Sequence, residues 1–192
     1  MFKLNARPRF AVLVVLALVM LLTRSHHVGG MNFLPDASWA IFFLAGFYCT
    51  SIWSAPLLML AAAAVDLLAI QFGGVNGFCV TPAYWALIPA YGSLYLAGRG
   101  FRKIYQPTLA SLLTGFGAAM GGALAAELFS SGGFYLFSGY FSQPTPAGFA
   151  ARLLKYFPAT VEVMTLYLVM AAAIHILLVN LSAGRSADLH GR

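Results

Sequence analysis

Five side chains able to coordinate a metal or hydrogen-bond a ligand stand within or beside apolar runs: His27, Asp66, Cys79, Tyr84 and Arg152. A thiolate is a soft metal ligand, and imidazole is a common one. An arginine holds anionic or amide-bearing groups through its planar fork of donors. An ionisable group within an apolar run, such as Asp66, costs at least a few kcal/mol unless it is paired or hydrated. These residue types indicate a ligand-binding site.

Each of these residues also has a structural interpretation. Cys79 follows the flexible segment Gly-Gly-Val-Asn-Gly-Phe, which can approach a bound molecule closely, but a lone cysteine is also common as packing. His26 offers the same chemistry as His27, and a histidine pair in a loop can be solvated and idle. Asp66 could orient a ligand, a histidine or an arginine, or make a purely structural hydrogen bond.

The remaining two candidates also have a structural alternative, and other polar residues in the apolar runs fit structural roles better. Arg152 and Tyr84 could belong to the membrane interface, where arginines snorkel and tyrosines form belts. Glu127 and Glu162 lie near the ends of apolar runs, where structural or snorkelling roles are expected, and His175 fits a packing role. Cys49, inside an apolar run, is interpreted as an inert free thiol.

The composition requires these residues to be positioned within a membrane. The 192 residues are 61% hydrophobic and 8% charged, whereas soluble domains carry roughly a quarter charged residues. At about 20 apolar residues for each spanning helix, the chain has room for roughly six spans and no soluble domain. Nucleotide hydrolysis would therefore need another chain. Nucleic-acid binding is not expected, because the net charge of +6 is read first as a topology signal.

Apolar runs separated by Gly, Pro and charged residues predict an all-α integral membrane protein, a single transmembrane domain over residues 1–192. The N-terminal run is interpreted as an uncleaved first span, because no small-x-small cleavage pattern follows it. The predicted spans cover residues 10–23, 39–52, 57–72, 82–98, 107–129 and 157–181.

Basic residues predict that both termini are cytoplasmic, since lysine and arginine are retained on that side. The segments that this orientation places inside carry most of the basic residues: Lys3, Arg7, Arg9, Arg99, Arg102, Lys103, Arg185 and Arg192. The outer segments carry only Arg24, Arg152 and Lys155. All five candidate site residues then fall on or just below the outer side, which predicts one shared outer cavity.

Two further predictions concern packing. The outer connector over residues 130–156 is aromatic, so it is expected to be a loop that folds over the outer mouth. In the fifth span, Gly117, Gly121 and Ala125 repeat at four-residue spacing, which favours close helix packing in lipid.

The chain resembles the BtuM family of small bacterial cobalamin (vitamin B12) transporters. The resemblance rests on six short spans, His-His after the first, Asp66 in the third, the Gly-Gly-Val-Asn-Gly-Phe-Cys loop and Arg152 before the last. It covers nearly the whole chain. It implies a fold similar to the substrate-binding S-components of energy-coupling factor (ECF) transporters, located in the bacterial inner membrane.

The resemblance also implies roles for the site residues, with cobalamin as the bound substrate. Cys79 would ligate the cobalt of cobalamin, with His27 and Asp66 nearby, and Tyr84 and Arg152 would line the pocket. A cobalt-bound thiolate could also displace an upper axial ligand such as cyanide. The first span departs from the S-component pattern A-x-x-x-A, because Ala11 is followed by Val15. Three alternatives follow for energising: the chain works alone, docks on an ECF energising module through a different surface, or shares such a module weakly.

Two alternatives to cobalamin uptake remain at this stage. An S-component for another vitamin would share the fold but would bind its ligand normally after Cys79→Ser. A haem-binding membrane protein or enzyme would use histidine and cysteine as axial ligands or as a redox thiol. We find no nucleotide loop, paired catalytic carboxylates or serine elbow in the sequence, so hydrolytic catalysis has little support.

Overall fold

A computed structural model describes residues 6–24, 34–49, 51–72 and 81–190, with side chains described from residue 9 to residue 179 within those ranges. The described chain is helical, and the all-α prediction is confirmed. Six α-helices follow one another as α1 (Ala6–Arg24), α2 (Ser38–Tyr48), α3 (Ser54–Phe72), α4 (Leu87–Ile104), α5 (Leu109–Phe137) and α6 (Pro146–His190). A short 3-10 helix, Pro82–Ala86, leads directly into α4.

The helices differ from the predicted spans mainly in where they begin and end. α2 ends at Tyr48, because Cys49 leaves the helical conformation with φ −90° and ψ 133°. α4 continues to Ile104 and so includes the basic residues that were predicted to lie in a connector. By length and composition, three of the described helices could cross a membrane: α3, α5 and the part of α6 from Pro146 to Val179.

The prediction of a long loop over residues 130–156 is wrong. α5 continues to Phe137 and α6 begins at Pro146, so the connector shrinks to residues 138–145. The aromatic residues of this segment pack on one another within a helical hairpin, as where Tyr135 contacts both Phe141 and Phe149. The continued helices satisfy backbone hydrogen bonds that a loop would leave to water.

The core lies between α2 and α4, which run in the same direction in close contact. Phe42 stacks on Tyr91 with ring centroids 4.2 Å apart, and one helical turn later Gly46 lies against the backbone of Tyr95. Gly98 on α4 in turn approaches the backbone of Phe43. A Cβ atom at either glycine would collide with main-chain atoms of the other helix, so this crossing requires glycine.

The glycine pattern predicted for α5 does not form the observed contact. Gly117 and Gly121 face open space, whereas Gly115, Gly122 and Gly133 pack against Phe101, Ala97 and Ala86. α5 therefore packs on α4 and the 3-10 helix through a different face from the one that the four-residue repeat predicts. The two helices run in opposite directions, because residues later in α5 meet residues earlier along the chain of α4.

Candidate functional site

One end of the bundle carries a polar network centred on Arg24, the last residue of α1. Its guanidinium holds the Asp66 carboxylate with two hydrogen bonds of 2.6 Å, from Nε to Oδ1 and from Nη2 to Oδ2. Both side chains are largely buried, with 12% of the Arg24 side chain and 23% of the Asp66 side chain exposed. This is the bidentate geometry that gives arginine–carboxylate pairs their strength and specificity.

The third nitrogen of Arg24 connects α1 to two further helices. Nη1 donates to Asp36 Oδ2 at 3.2 Å and to Ser38 Oγ at 3.0 Å, and it lies 2.9 Å from the hydroxyl of Tyr91 on α4. Asp36 also accepts from the backbone N–H and the hydroxyl of Ser38 through Oδ1, at the start of α2. A single buried guanidinium thus joins α1, α2, α3 and α4 at this end.

The network extends from Asp66 to Tyr84 in the 3-10 helix. The Tyr84 hydroxyl donates to Asp66 Oδ2 at 2.8 Å, so the carboxylate fixes the direction of the phenol. The local sequence positions this tyrosine, because the Thr81 side chain caps the 3-10 helix by accepting from the Ala83 N–H and Pro82 favours a helix start. With its proton committed to Asp66, the Tyr84 oxygen remains able to accept from a ligand.

The network forms one wall of a cavity of about 460 Å³, within the size range of small-molecule sites. Arg24, Asp66 and Tyr84 line it from one side, and the α5–α6 hairpin contributes Arg152, among others, from the other. The remaining lining residues are Asp36, Trp39, Ala83, Leu87, Tyr91, Ser130, Ser131, Phe134, Phe149 and Tyr156. Charged groups and flat aromatic rings therefore share one concave surface.

Arg152 differs from Arg24 in its partners. Its guanidinium carbon lies 4.6 Å from the ring centroid of Phe141 and 5.4 Å from that of Tyr156, within the range of cation–π contacts. The two ion pairs at this cavity are those of Arg24 with Asp36 and Asp66. The positive charge of Arg152 has no such carboxylate partner there and remains available to an acceptor group in the cavity.

The structure thus brings together three of the five candidate residues, Asp66, Tyr84 and Arg152, around one cavity. The other two, His27 and Cys79, lie outside the described residues, as does the alternative His26. Among the described residues, no group of three or more His, Cys, Asp or Glu side chains is arranged to hold a metal ion.

Sequence reasoning missed the central residue of the network. Arg24 was counted only as one of the few basic residues on the outer side. A signal existed, because a cation directly after one apolar run and an aspartate within another each need a partner in a membrane. Asp36 and Tyr91 gave no such signal in the sequence, since Asp36 stands in a predicted connector and Tyr91 in the middle of a predicted span.

Structural surroundings are found for three residues that the sequence predicts to be structural: Glu127, His175 and Cys49. Glu127 is buried, 4% exposed, and accepts a hydrogen bond from Ser131 one turn later on α5. His175 on α6 lies between two tyrosines, with Nδ1 3.0 Å from the Tyr48 hydroxyl and Nε2 2.9 Å from the Tyr105 hydroxyl. Burial raises the pKa of Tyr105, so this phenol keeps its proton. Cys49 is buried as a free thiol.

Comparison of the sequence with protein-family models and with curated proteins gives no match. The chemistry of the cavity therefore rests on its own residues: a paired carboxylate that orients a phenol, an arginine without a carboxylate partner, and aromatic walls.

Proposed function

We propose that this chain binds cobalamin in the Arg24–Asp66 cavity and takes it up across the bacterial inner membrane. The supporting observation is the meeting of Asp66, Tyr84 and Arg152, which lie far apart in the sequence, around one cavity. These are three of the residues to which the resemblance to BtuM transporters gives a role in binding. In this proposal the cavity faces the periplasm and both termini are cytoplasmic, as the distribution of basic residues predicts.

The cavity offers the contacts that the edge of a corrin needs. Arg152 would hold a phosphate or amide oxygen at the periphery of the macrocycle, because its guanidinium has donors and no carboxylate partner among the described residues. The rings of Trp39, Phe149 and Tyr156 offer flat apolar surface to the macrocycle. The cavity is smaller than a whole cobalamin, so the described residues would enclose only part of it.

The proposed cobalt ligand is Cys79, with His27 close to it. Both residues stand in segments next to parts of the cavity along the chain: His27 follows Arg24, and Cys79 precedes Thr81 and Tyr84. Cobalt ligation would bring a thiolate to a polarizable metal, a favourable combination of soft partners. Where the upper axial ligand is cyanide, the Cys79 thiolate would donate an electron pair to cobalt and cyanide would leave as CN⁻ with the Co–C electron pair, without a change in the oxidation state of cobalt.

Binding of cyanocobalamin to the purified chain tests the proposal. Wild-type protein is expected to hold cobalamin through gel filtration and to shift its visible spectrum, whereas Cys79→Ala should lose the spectral shift. Arg152→Ala should weaken binding without changing the spectrum of the bound state, since it removes a peripheral contact. Failure of wild-type protein to retain any cobalamin would overturn the proposal.

The same experiment separates the alternatives. An S-component for another vitamin would bind no cobalamin, and its own ligand would bind equally well to Cys79→Ser. A haem-binding protein would carry a Soret band when purified without added cobalamin. Haem has little support in the described region, because both ring nitrogens of His175, the one histidine with a described side chain, are engaged by tyrosines.

A further inference from the structure

A second cavity lies towards the opposite end of the bundle, enclosed by α2, α4, α5 and α6. Its volume is about 400 Å³, and its walls are aromatic and aliphatic. They include Phe47 on α2, Phe101 on α4, Phe116 on α5, and Leu168 and Ala172 on α6. The cavity is separate from the Arg24–Asp66 cavity, with which it shares no lining residue.

The polar side chains that line this cavity form hydrogen bonds with one another. Tyr48, Tyr105 and His175 are its side chains with strong hydrogen-bonding groups, and both ring nitrogens of His175 are engaged by the two hydroxyls. A polar ligand would therefore find few free donors or acceptors. Water also gains little in such a cavity, because apolar cavities stay dry unless several polar partners are present.

The shape and opening of the cavity fit a hydrocarbon chain. On α6 the lining runs from Leu168 to Ile176, about 12 Å along the axis at ~1.5 Å per residue. Phe116 on α5 and Val169 and Ile176 on α6 line the cavity and are also exposed on the outside of the bundle, so it opens between these two helices. Both helices are apolar enough to cross a membrane, and in a membrane this opening would face lipid.

The charged side chains that the structure describes near this end are positive. Arg102 and Lys103 lie on the last turn of α4, between the lining residues Phe101 and Tyr105. All four acidic residues with described side chains, Asp36, Asp66, Glu127 and Glu162, lie towards the other end of their helices or of the bundle. Clusters of basic residues at the cytoplasmic end of membrane helices attract anionic lipid head groups.

We propose that this cavity binds an acyl chain of an anionic membrane phospholipid, with the head group near Arg102 and Lys103. An empty cavity would leave the aromatic walls without dispersion contacts on one side, and a hydrocarbon chain restores them. The lipid would pack α6 against α2 and α4 where protein side chains leave a gap. This site is independent of cobalamin binding, because it uses none of the residues of the outer cavity.

Substitution of Ala172 by phenylalanine tests the acyl-chain site. In detergent, adding an anionic phospholipid such as phosphatidylglycerol should raise the unfolding temperature of wild-type protein, since a ligand of the folded state stabilises it. Ala172→Phe fills the cavity from α6, so the unfolding temperature should no longer respond, and co-purifying phospholipid should fall roughly tenfold. Ala159→Phe, the same change on an exposed part of α6 away from the cavity, should behave as wild type.

Two further variants keep the test decisive. If Ala172→Phe does not fold, Ala172→Leu makes the same change with a smaller side chain. The double variant Arg102→Gln, Lys103→Gln should respond no more strongly to phosphatidylglycerol than to phosphatidylcholine. The proposal is overturned if wild-type protein shows no lipid response, if Ala172→Phe responds as fully as Ala159→Phe, or if wild-type protein responds equally to both lipids.

Discussion

At the scale of single residues, Arg24 organises the end of the molecule that carries the Arg24–Asp66 cavity. Its guanidinium donates hydrogen bonds to two carboxylates, a serine and a tyrosine. The Asp66 carboxylate that it holds in turn orients Tyr84. Desolvating these charges is costly, and the cost is offset because nearly every donor and acceptor has a partner. Asp66 therefore affects the cavity mainly through the tyrosine that it positions.

Arg24→Gln is predicted to destabilise the fold by leaving Asp66 largely buried without its ion-pair partner. We expect a loss of about 2–3 kcal/mol, below the ~3–5 kcal/mol for fully buried pairs because the Asp66 side chain is 23% exposed. Unfolding in detergent–denaturant mixtures measures the change. The double variant with Asp66→Asn should recover part of the loss, and Arg24→Lys should be intermediate because it keeps charge without the fork. Simple additivity of the two single changes would contradict this account.

Tyr84→Phe should weaken ligand binding more than it weakens the fold. The variant keeps the ring but removes the hydroxyl that donates to Asp66 and faces the cavity. We expect cobalamin affinity to fall roughly fivefold, the equivalent of about 1 kcal/mol for one hydrogen bond. Isothermal titration measures the affinity. Tyr140→Phe, which makes the same change at an exposed tyrosine outside the cavity, should leave affinity unchanged; an equal loss there would refute the assignment.

At the scale of helices, apolar runs in the sequence predict where the helices are but not how they pack. The number and order of helices follow from apolar runs and their breaks, and four of the six predicted spans lie within the bounds of helical segments. Helix ends were less predictable: α5 and α6 extend beyond their apolar cores because aromatic contacts in the hairpin support the extra turns. Gly117 and Gly121 match a small-residue packing motif but face open space. The glycines of α5 that contact its neighbours are Gly115, Gly122 and Gly133.

Glycine substitutions should distinguish the close contact between α2 and α4 from the open face of α5. Gly46→Ala and Gly98→Ala place a Cβ atom against the main chain of the partner helix, which cannot move aside as a side chain can. Each should destabilise the protein by about 2 kcal/mol or more, as expected for overpacking at a close contact. Gly117→Ala and Gly121→Ala are matched controls, because each faces open space and alanine favours helices. Unfolding temperatures measure all four, and equal losses at both pairs would contradict the packing described.

At the scale of the whole molecule, polar groups concentrate at two ends with different chemistry. One end holds the paired charges and the Arg152 guanidinium around a cavity, whereas the other end holds basic residues beside an aromatic cavity. Between them, α3, α5 and α6 present large apolar side chains outwards, as expected for helices that face hydrocarbon. The distribution of charges in the sequence indicated this division. The ion pairs of Arg24 with Asp36 and Asp66 could not be predicted from the sequence, because they depend on how the helices pack.

The orientation of the two ends gives a prediction for the whole molecule. Gln143 in the α5–α6 connector and Gln106 between α4 and α5 are both exposed and lie at opposite ends of α5. In a variant with Cys49 and Cys79 replaced by serine, Gln143→Cys should react with a membrane-impermeant maleimide in intact spheroplasts. Gln106→Cys should react only after permeabilisation, because the basic residues beside it are retained in the cytoplasm. The cysteine-free parent controls for background labelling. The opposite labelling pattern would show that the molecule has the inverted orientation. The Arg24–Asp66 cavity would then face the cytoplasm, where it could not receive a solute from outside.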